Sequence, residues 1–436
     1  MKTIAVYSSV LFVCFLTIPQ TLHAKPNGSV KFSTQRVENA NDTKETLILP
    51  FAFPSDSMGT TFGVGSMAKG YGQDQLLIAG AAWGSADEAV GGVLGLWDYQ
   101  LPFGDRIFFS TLGSLGNYPR QRAYSSAPRI ADSSGAGGND SDENDYVEEE
   151  GTDNWIDFKF EFVLPIGSMK SDSMGEYKLE KGILTEGATG GDTWNPLETG
   201  VSVLVLRQSN RFQEYQTDDG DLEGSVHPIE IGYLYNNTDF PTNPSKGSSQ
   251  YLSFTQDFGW GDSKDKWNFL SFEGSKYFDV GTNKFAKQQV VALNVWTGDS
   301  LSWDETTLDN DNSVISDDPP FVEGARLGGF YRMRAYPNNR FNGKSVIYTT
   351  GEYRLTPKWN PIANVKWLSF LKLDWFQLVG FAEGGRVAGD YGDLFSDWKF
   401  DGGVGLRAMV AGGVVRFDVA TSEESTSGWV MFGHPF

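Results

Sequence analysis

Residues that could support catalysis are scarce in this sequence. The 436 residues include three histidines, and those beyond the apolar N-terminal segment are His227 and His434. A serine hydrolase needs a histidine base beside its nucleophile, but neither histidine lies in such a constellation and no G-x-S-x-G motif is present. The GVG at 403–405 fits a strand better than a phosphate loop. We therefore expect no enzymatic activity and no cofactor, and we interpret His434 as an interfacial ring.

Carboxylates are abundant and are concentrated in polar inserts. Residues 140–153 contain eight of them, and Asp309, Asp311, Asp317 and Asp318 form a second group. Oxygen ligands suit Ca²⁺, but neither segment has the glycine at position six of a calcium loop. We therefore expect solvated loops and no metal site. The formal charge of −21 repels phosphate backbones, which argues against nucleic acid as a partner.

A charged pair at Glu352 and Arg354 has the spacing of one strand face. The two residues alternate with Tyr353 and Leu355, so a strand here would turn its charges to one side and its apolar groups to the other. If the apolar side met lipid, the charges would face an internal lumen. An unpaired charge would be costly there, whereas a guanidinium group can bind a carboxylate through two hydrogen bonds. The pattern predicts ion pairing inside a barrel.

Alternation with a period of two defines the elements that would position these charges. In segment 156–162 every even member is a large apolar residue and every odd member is charged. Such runs approach the ~9–11 residues that a tilted strand needs to cross hydrocarbon. They end in aromatics, of which the chain has 13 Trp, 17 Tyr and 31 Phe, as an interfacial girdle would. The pattern favours an all-β transmembrane antiparallel barrel over a soluble sandwich. A helical membrane protein is excluded, because beyond the N-terminus no apolar run is long enough for a membrane helix.

Turn-rich segments divide the chain into sixteen strand-like runs, an even number as a closed single-chain barrel requires. The runs are 59–69, 74–84, 89–99, 105–124, 152–166, 199–213, 225–237, 249–260, 265–278, 285–298, 321–331, 344–357, 375–387, 400–410, 413–421 and 427–436. Counting hairpins back along these runs from the C-terminal blocks whose family resemblance is described below places the polar inserts at 126–151 and 299–320 on the periplasmic side.

The N-terminus has the form of an export signal. Lys2 precedes an apolar stretch at 4–18 that is too short to span a bilayer, and a small residue at Ala24 suits signal-peptidase cleavage. We expect residues 1–24 to be removed, together with the only cysteine, Cys14. Residues 25–45 then form a short periplasmic stub that could plug the lumen, dock a partner or be disordered, and 46–436 form the barrel of a bacterial outer membrane.

The C-terminal residues have a pattern that is typical of outer-membrane barrels. Val430, Phe432, His434 and Phe436 share one face of the predicted last strand. Outer-membrane barrels commonly close with a terminal aromatic, so Phe432 and Phe436 resemble their assembly signal.

Several blocks in the C-terminal half resemble a known family. These blocks are LGGFYRMRAYPNNRFNG (327–343), YTTGEYRLTP (348–357), GFAEGG (380–385), GGVGLRAMVAGGVVRFDVA (402–420) and the closing Phe. In order and spacing they are similar to the bacterial surface antigens, the BamA- and TamA-type outer-membrane barrels, which have two-partner-secretion transporters as relatives. Segment 234–298 fits the family more loosely, and 59–233 resembles it only in architecture.

The resemblance implies an extracellular loop that folds into the lumen. In the family, the Arg of a (V/L)-R-G-(F/Y) motif meets carboxylates on two neighbouring strands, and the matching loop residues here are Arg334, Ala335 and Tyr336, after Met333. The matching carboxylates are Glu352 and Glu383, and the strand motifs contain Phe381, Gly385, Gly403 and Gly405. This chain departs from the pattern in having Ala335 for Gly, which implies φ < 0 or strain, and Glu383 for the usual Asp.

The resemblance also implies a role in inserting or translocating protein or lipid at the outer membrane. Family members that do so usually carry periplasmic POTRA modules, for which 25–45 is too short. Two alternatives therefore stay open: a membrane anchor or homo-oligomeric scaffold without transport, and a passive porin-like channel. The expected partners are outer-membrane lipids and lipopolysaccharide, the barrel-assembly machinery during biogenesis, and either further copies of the chain or an unidentified periplasmic protein.

Overall fold

The computed structural model describes residues 27–37, 44–55, 57–125, 134–216, 222–263, 266–302, 304–307, 313–360 and 371–436, and these are almost entirely β-structure. In chain order the strands are β1 (Phe32–Arg36), β2 (Glu45–Ser55), β3 (Gly59–Lys69), β4 (Leu77–Ser85), β5 (Val90–Gln100), β6 (Ile107–Ala123), β7 (Val147–Val163), β8 (Gly175–Glu180), β9 (Ile183–Glu186), β10 (Val201–Tyr215), β11 (Leu222–Val226), β12 (Ile229–Asn236), β13 (Gly247–Gln256), β14 (Asn268–Asp279), β15 (Ala286–Asp299), β16 (Asp304–Thr307), β17 (Ser313–Ser316), β18 (Ala325–Leu327), β19 (Phe341–Gly343), β20 (Ser345–Pro357), β21 (Leu373–Ala388), β22 (Lys399–Val410), β23 (Gly413–Ser422) and β24 (Thr426–Phe432). No helix in these ranges is both long and apolar enough to cross a membrane.

Sixteen of these strands form the wall of a β-barrel. Antiparallel ladders join β2 through β7 in order, then β10, then β12 through β15, and then β20 through β24. Along β14, Leu270, Phe272 and Phe278 are exposed on the outer face while Glu273 and Tyr277 are buried on the inner face. This alternation gives an apolar surface toward lipid and a polar lumen. The predicted fold and strand count are therefore confirmed.

The count of sixteen was reached through two errors that cancel. The predicted run 321–331 is not part of the wall, because it contains only the short β18 and leads into the lumen. The first wall strand, β2 (Glu45–Ser55), precedes the first predicted run, which begins at residue 59. Pro50 and Pro54 hid this strand, because proline cannot donate to a ladder and is tolerated only at sheet edges.

Successive strands alternate in direction, which fixes the end at which each connection lies. The inward-folding connection between β15 and β20 and the acidic connection between β6 and β7 open at the same end of the barrel. The resemblance to the surface-antigen family makes that end extracellular, because the inward-folded loop of the family is extracellular. On this assignment the periplasmic placement of the inserts at 126–151 and 299–320 is wrong, because the run 321–331 was counted as a wall strand between the inserts and the loop. Residues 126–133, 303 and 308–312 lie outside the described ranges.

The lumen is filled from both ends by segments of the same chain. From the extracellular end, residues 328–340, which we call the inward loop, descend between the paired strands β18 and β19 and pack in a core with wall residues such as Tyr348 and Phe381. From the periplasmic end, residues 27–37, which we call the stub segment, enter the lumen. There β1 adds in parallel to β8 of a small sheet completed by β9.

The C-terminal tail departs from the sequence prediction. Val430 and Phe432 lie on β24 as expected, but the strand ends at Phe432 and Gly433 adopts a φ of 75°. The tail then turns into the lumen, where the Nδ1 of His434 lies 2.6 Å from Nη1 of Arg407 and the ring of Phe436 stacks on Tyr277. His434 is 4% exposed, so the interpretation of an interfacial ring is also wrong.

Candidate functional site: an ionic lock in the lumen

The tip of the inward loop is a tight turn that presents one arginine. Gly328 and Gly329, at φ 106° and 107°, allow the chain to leave β18 for the lumen. The N–H of Tyr336 donates to the carbonyl of Met333 at 3.0 Å and closes the turn. Arg334 lies inside it and is fully buried.

Arg334 contacts three carboxylates from three wall strands. Its Nε lies 3.1 Å from Glu383 of β21, its Nη1 2.8 Å from Asp418 of β23, and its Nη2 3.1 Å from Glu352 of β20. The guanidinium carbon lies 3.4 Å from the ring centroid of Phe381. Burial alone would lower the pKa of Arg334, but the three carboxylates outweigh burial and raise it. The arginine is thus held as a cation between two faces, one anionic and one aromatic.

Further buried groups hold these carboxylates in place. Glu352 also pairs with Arg354 at 2.8 Å and with Arg407 at 2.7 Å. Asp418 also pairs with Arg416. Glu383 accepts hydrogen bonds from the Tyr348 hydroxyl at 2.5 Å and from the backbone N–H of Arg334 at 2.7 Å. The lock is therefore a connected network, in which one cation from the loop and several from the wall share three carboxylates.

The loop backbone is bound as tightly as the arginine. The N–H of Ala335 donates to Asp401 at 2.9 Å, and its carbonyl accepts from Ser425 at 2.7 Å and Ser427 at 2.8 Å. The indole of Trp429 donates to the carbonyl of Arg334 at 2.6 Å, and Tyr336 Oη donates to the Phe400 carbonyl at 3.2 Å. Because Ser427 and Trp429 belong to β24, the loop is tied directly to the last strand of the wall.

The substitution of alanine for glycine in the motif is accommodated without strain at that residue. Ala335 is not among the described residues with positive φ, whereas its neighbour Met333 has a φ of 57°. The left-handed residue of this turn is therefore Met333. Ala335 itself is completely buried, so a small side chain is needed there.

Three strand glycines named from the sequence make room for the lock. A Cβ on Gly385 would lie 2.8 Å from Leu327, where the loop begins. A Cβ on Gly403 would lie 2.6 Å from the ring of Phe381, the residue beneath Arg334, and one on Gly405 would lie 2.3 Å from Oδ1 of Asp418. Side chains at these positions would displace the groups that hold the arginine.

The structure brings together every residue we named for the lock and adds several that we missed. Arg334 meets both Glu352 and Glu383, but the shortest contact of its guanidinium group with a carboxylate is the one with Asp418. The alternation of Arg416 and Asp418 with Val415 and Phe417 was visible in the sequence and marked both as lumen-facing. Asp401 and Arg407 carried the same signal, but a single strand does not show what lies across the lumen.

The remaining candidates lie away from the lock. His227 contacts Asn210 through Nδ1 at 2.8 Å and Asp262 through Nε2. Asp153, at the end of the first acidic segment, is buried in an ion pair with Arg211 at 2.7 Å rather than solvated. In the described ranges, no group of three or more acidic, histidine or cysteine side chains could hold a metal ion.

The chain belongs to the Omp85 superfamily, whose domain profile matches residues 197–428. This confirms the resemblance to BamA-like barrels and identifies the protein as an outer-membrane β-barrel. CdiB from Escherichia coli matches with a TM-score of 0.51 at 11% identity, over 90% of this chain and 60% of that one. This likeness shows the fold alone.

Two further solved structures match less well. They are CdiB from Acinetobacter baumannii, with a TM-score of 0.46 at 10% identity over 89% of this chain and 59% of that one, and BamA from Haemophilus ducreyi lacking POTRA domains 1–3, with a TM-score of 0.46 at 12% identity over 90% and 71%. The chain thus spans about 60% of the CdiB chains. No curated protein matches it in sequence.

Proposed function

We propose that this protein inserts or translocates a polypeptide or lipid substrate at the outer membrane, and that the substrate leaves through the boundary between β2 and β24, which we call the seam. The observation that carries the proposal is the composition of this boundary. The sheet closes as a barrel, in which β2 pairs along its whole length with β3, and β24 pairs with β23. The other edge of β2 contains Pro50 and Pro54. Near the periplasmic end of this boundary, Leu47 of β2 packs against Val410 and Ala411 at the turn between β22 and β23.

Proline explains why the seam is weak. The ladder between β2 and β3 runs without a register shift through Pro50 and Pro54. Because proline has no N–H, its nitrogen is tolerated only where it faces away from the paired strand, which here is toward the seam. Alternate residues of a strand present their N–H groups to the same edge. The seam edge of β2 therefore lacks two donors, so the closure with β24 is short of two backbone hydrogen bonds.

The lock lies where it can control this seam. Ser427 and Trp429 of β24 hold the carbonyls of Ala335 and Arg334, so release of the inward loop would also free the last strand. A lumen filled from both ends argues against a passive porin-like channel. We propose no enzymatic activity for the protein. We also propose that residues 1–24 are cleaved, which N-terminal sequencing of the exported protein tests.

Site-specific photo-cross-linking in the outer membrane tests the proposal. A benzophenone side chain at Ile48, which is 63% exposed on the outer face of β2, probes the seam. The control is the same group at Leu252, which is 50% exposed on β13 in another part of the wall. We expect polypeptide or labelled-lipid adducts at Ile48 that are absent at Leu252. Equal lipid adducts at both positions, or adducts only with copies of this chain, would contradict transport and favour the scaffold alternative.

A further inference from the structure

The stub segment is held in the lumen by a buried lysine between two wall carboxylates. Nζ of Lys31 lies 2.7 Å from Asp98 of β5 and 2.7 Å from Glu161 of β7, and Lys31 is fully buried. The N–H of Ser29 donates to the second oxygen of Glu161 at 2.8 Å, and the Asn27 amide donates to Glu230 at 2.8 Å. These contacts bind an extended chain that carries one positively charged side chain.

A bulge in the wall positions one of these two carboxylates, that of Asp98. The ladder between β5 and β6 shifts register between Leu96 and Tyr99, and within this bulge Asp98 has a φ of 61°. Bulges re-aim side chains, and left-handed backbone outside glycine is maintained only where the surroundings enforce it. Here the Ser110 hydroxyl accepts the N–H of Asp98 at 3.1 Å, and the carboxylate points to Lys31.

The backbone of the stub segment completes a sheet. Five residues from Phe32 to Arg36 pair in parallel with β8, whose other edge is already taken by β9. The ring of Phe32 meets Tyr177 edge-on, with centroids 5.5 Å apart, and Val30 is buried in an apolar cluster. If the stub segment left, β8 would have a free edge that can pair with another strand, and Asp98 and Glu161 would lose their buried cation.

We propose that the edge of β8 together with Asp98 and Glu161 is a docking site for an extended polypeptide with an apolar residue, a lysine or arginine, and an aromatic residue in succession, and that the stub segment occupies it until displaced. Charge complementarity selects the occupant, because a segment without a cation would remove the nearer of the two lysines that pair with fully buried Glu161, the other being Lys159 at 3.2 Å, and the cation that lies 2.7 Å from partly exposed Asp98. The inference rests on the proposed function only in naming a passing polypeptide as the occupant.

Binding of synthetic peptides to the full chain in detergent micelles tests this inference. The probe is a fluorescent peptide with the sequence of residues 27–37, and its matched control carries Lys31→Glu. Two variants of the protein control whether its own stub segment occupies the site. Gly28→Leu displaces it, because a Cβ at Gly28 would lie 2.9 Å from Leu234 and 3.1 Å from Val205. Ser33→Cys with Glu176→Cys, in a Cys14→Ser background, tethers it through registered partners of the ladder.

We expect the Gly28→Leu protein to bind the native peptide at least about tenfold more tightly than the control peptide, equivalent to ~1.4 kcal/mol. The oxidised tethered protein should bind neither, and reduction should restore some binding. Equal affinity for both peptides, no binding by the Gly28→Leu protein, or binding unaffected by the tether would overturn the inference. The Ile48 cross-linking result does not depend on these peptides, so failure of transport and failure of docking are distinguishable.

Discussion

Removal of the Arg334 side chain should release the inward loop. In Arg334→Ala, Glu352 keeps Arg354 and Arg407, and Asp418 keeps Arg416. Glu383 is left with the Tyr348 hydroxyl and a backbone N–H. One uncompensated buried carboxylate thus results, rather than three. Breaking a buried ion pair by removing one partner costs about 3–5 kcal/mol, and because two carboxylates stay paired we expect the lower end, ~3 kcal/mol.

This free energy predicts a measurable change in the exposure of the loop tip. A loss of ~3 kcal/mol raises the ratio of released to locked loop on the order of 10²-fold. The assay is the rate of maleimide labelling of a single thiol at Met333→Cys, in a Cys14→Ser background, since Met333 is fully buried. The labelling rate follows the released population when opening and closing are fast. The melting temperature of the barrel should also decrease.

A matched control is available in the same loop. Arg332 pairs with a single carboxylate, Glu273, at 2.7 Å and lies over Trp296, so Arg332→Ala should raise labelling less than Arg334→Ala does. Conductance in planar bilayers should increase in Arg334→Ala mainly when Gly28→Leu also displaces the stub segment, because both segments fill the lumen. Labelling within about threefold of the parent rate, with unchanged melting, would show that the arginine does not hold the loop.

Three smaller perturbations test other parts of the structure. Gly405→Ala should lower the free energy of unfolding by about 1–3 kcal/mol through its clash with Asp418, whereas Gly380→Ala, whose Cβ meets nothing within 4 Å, should leave urea unfolding unchanged; equal effects would contradict the packing argument. Burial lowers the pKa of Lys31, but its two carboxylates raise it more, so the protection factor of the stub segment, its exchange rate relative to that of an unstructured chain at the same pH, should stay constant up to the ordinary lysine pKa and fall only as pH rises through the higher pKa; a protection factor that falls between pH 8 and 10 would refute this. Phe436→Ala should cost about 1–2 kcal/mol in urea unfolding through loss of its aromatic contacts, and no change would mean that the tail is not held in the lumen.

Strand alternation predicted the wall well. It failed where proline obscured a strand and where glycine let the chain turn out of the strand. Glu352 and Arg354 face the lumen as their parity required. The strand β2 was hidden by Pro50 and Pro54, although those prolines are informative once the strand is known to be the first strand of the wall. At the C-terminus, the alternating pattern continues past Gly433 although the chain turns inward there, because parity describes a face only while the backbone stays extended.

Contacts across the lumen could not be predicted from one strand at a time. Asp418 was visibly lumen-facing, but its distance from Arg334 depends on how far the sheet curves before the loop enters. The stub segment posed the same difficulty, because its partner β8 lies between the predicted runs 152–166 and 199–213, in a stretch where we predicted no strand. Local patterns specify which way a side chain points, and the closure of the barrel determines what it meets.

The inward loop and the stub segment are bound to the two strands that flank the seam. The loop is bound by Trp429 of β24, while Arg36 of the stub segment pairs with Glu45 of β2 at 3.2 Å. If the seam opens only when both strands are free, cross-linking at Ile48 should rise little in Arg36→Ala, moderately in Arg334→Ala, and in the double variant by more than the product of the single effects. Residues that share one opening event are coupled in this way. Independent, multiplicative effects would mean that the two segments guard separate routes.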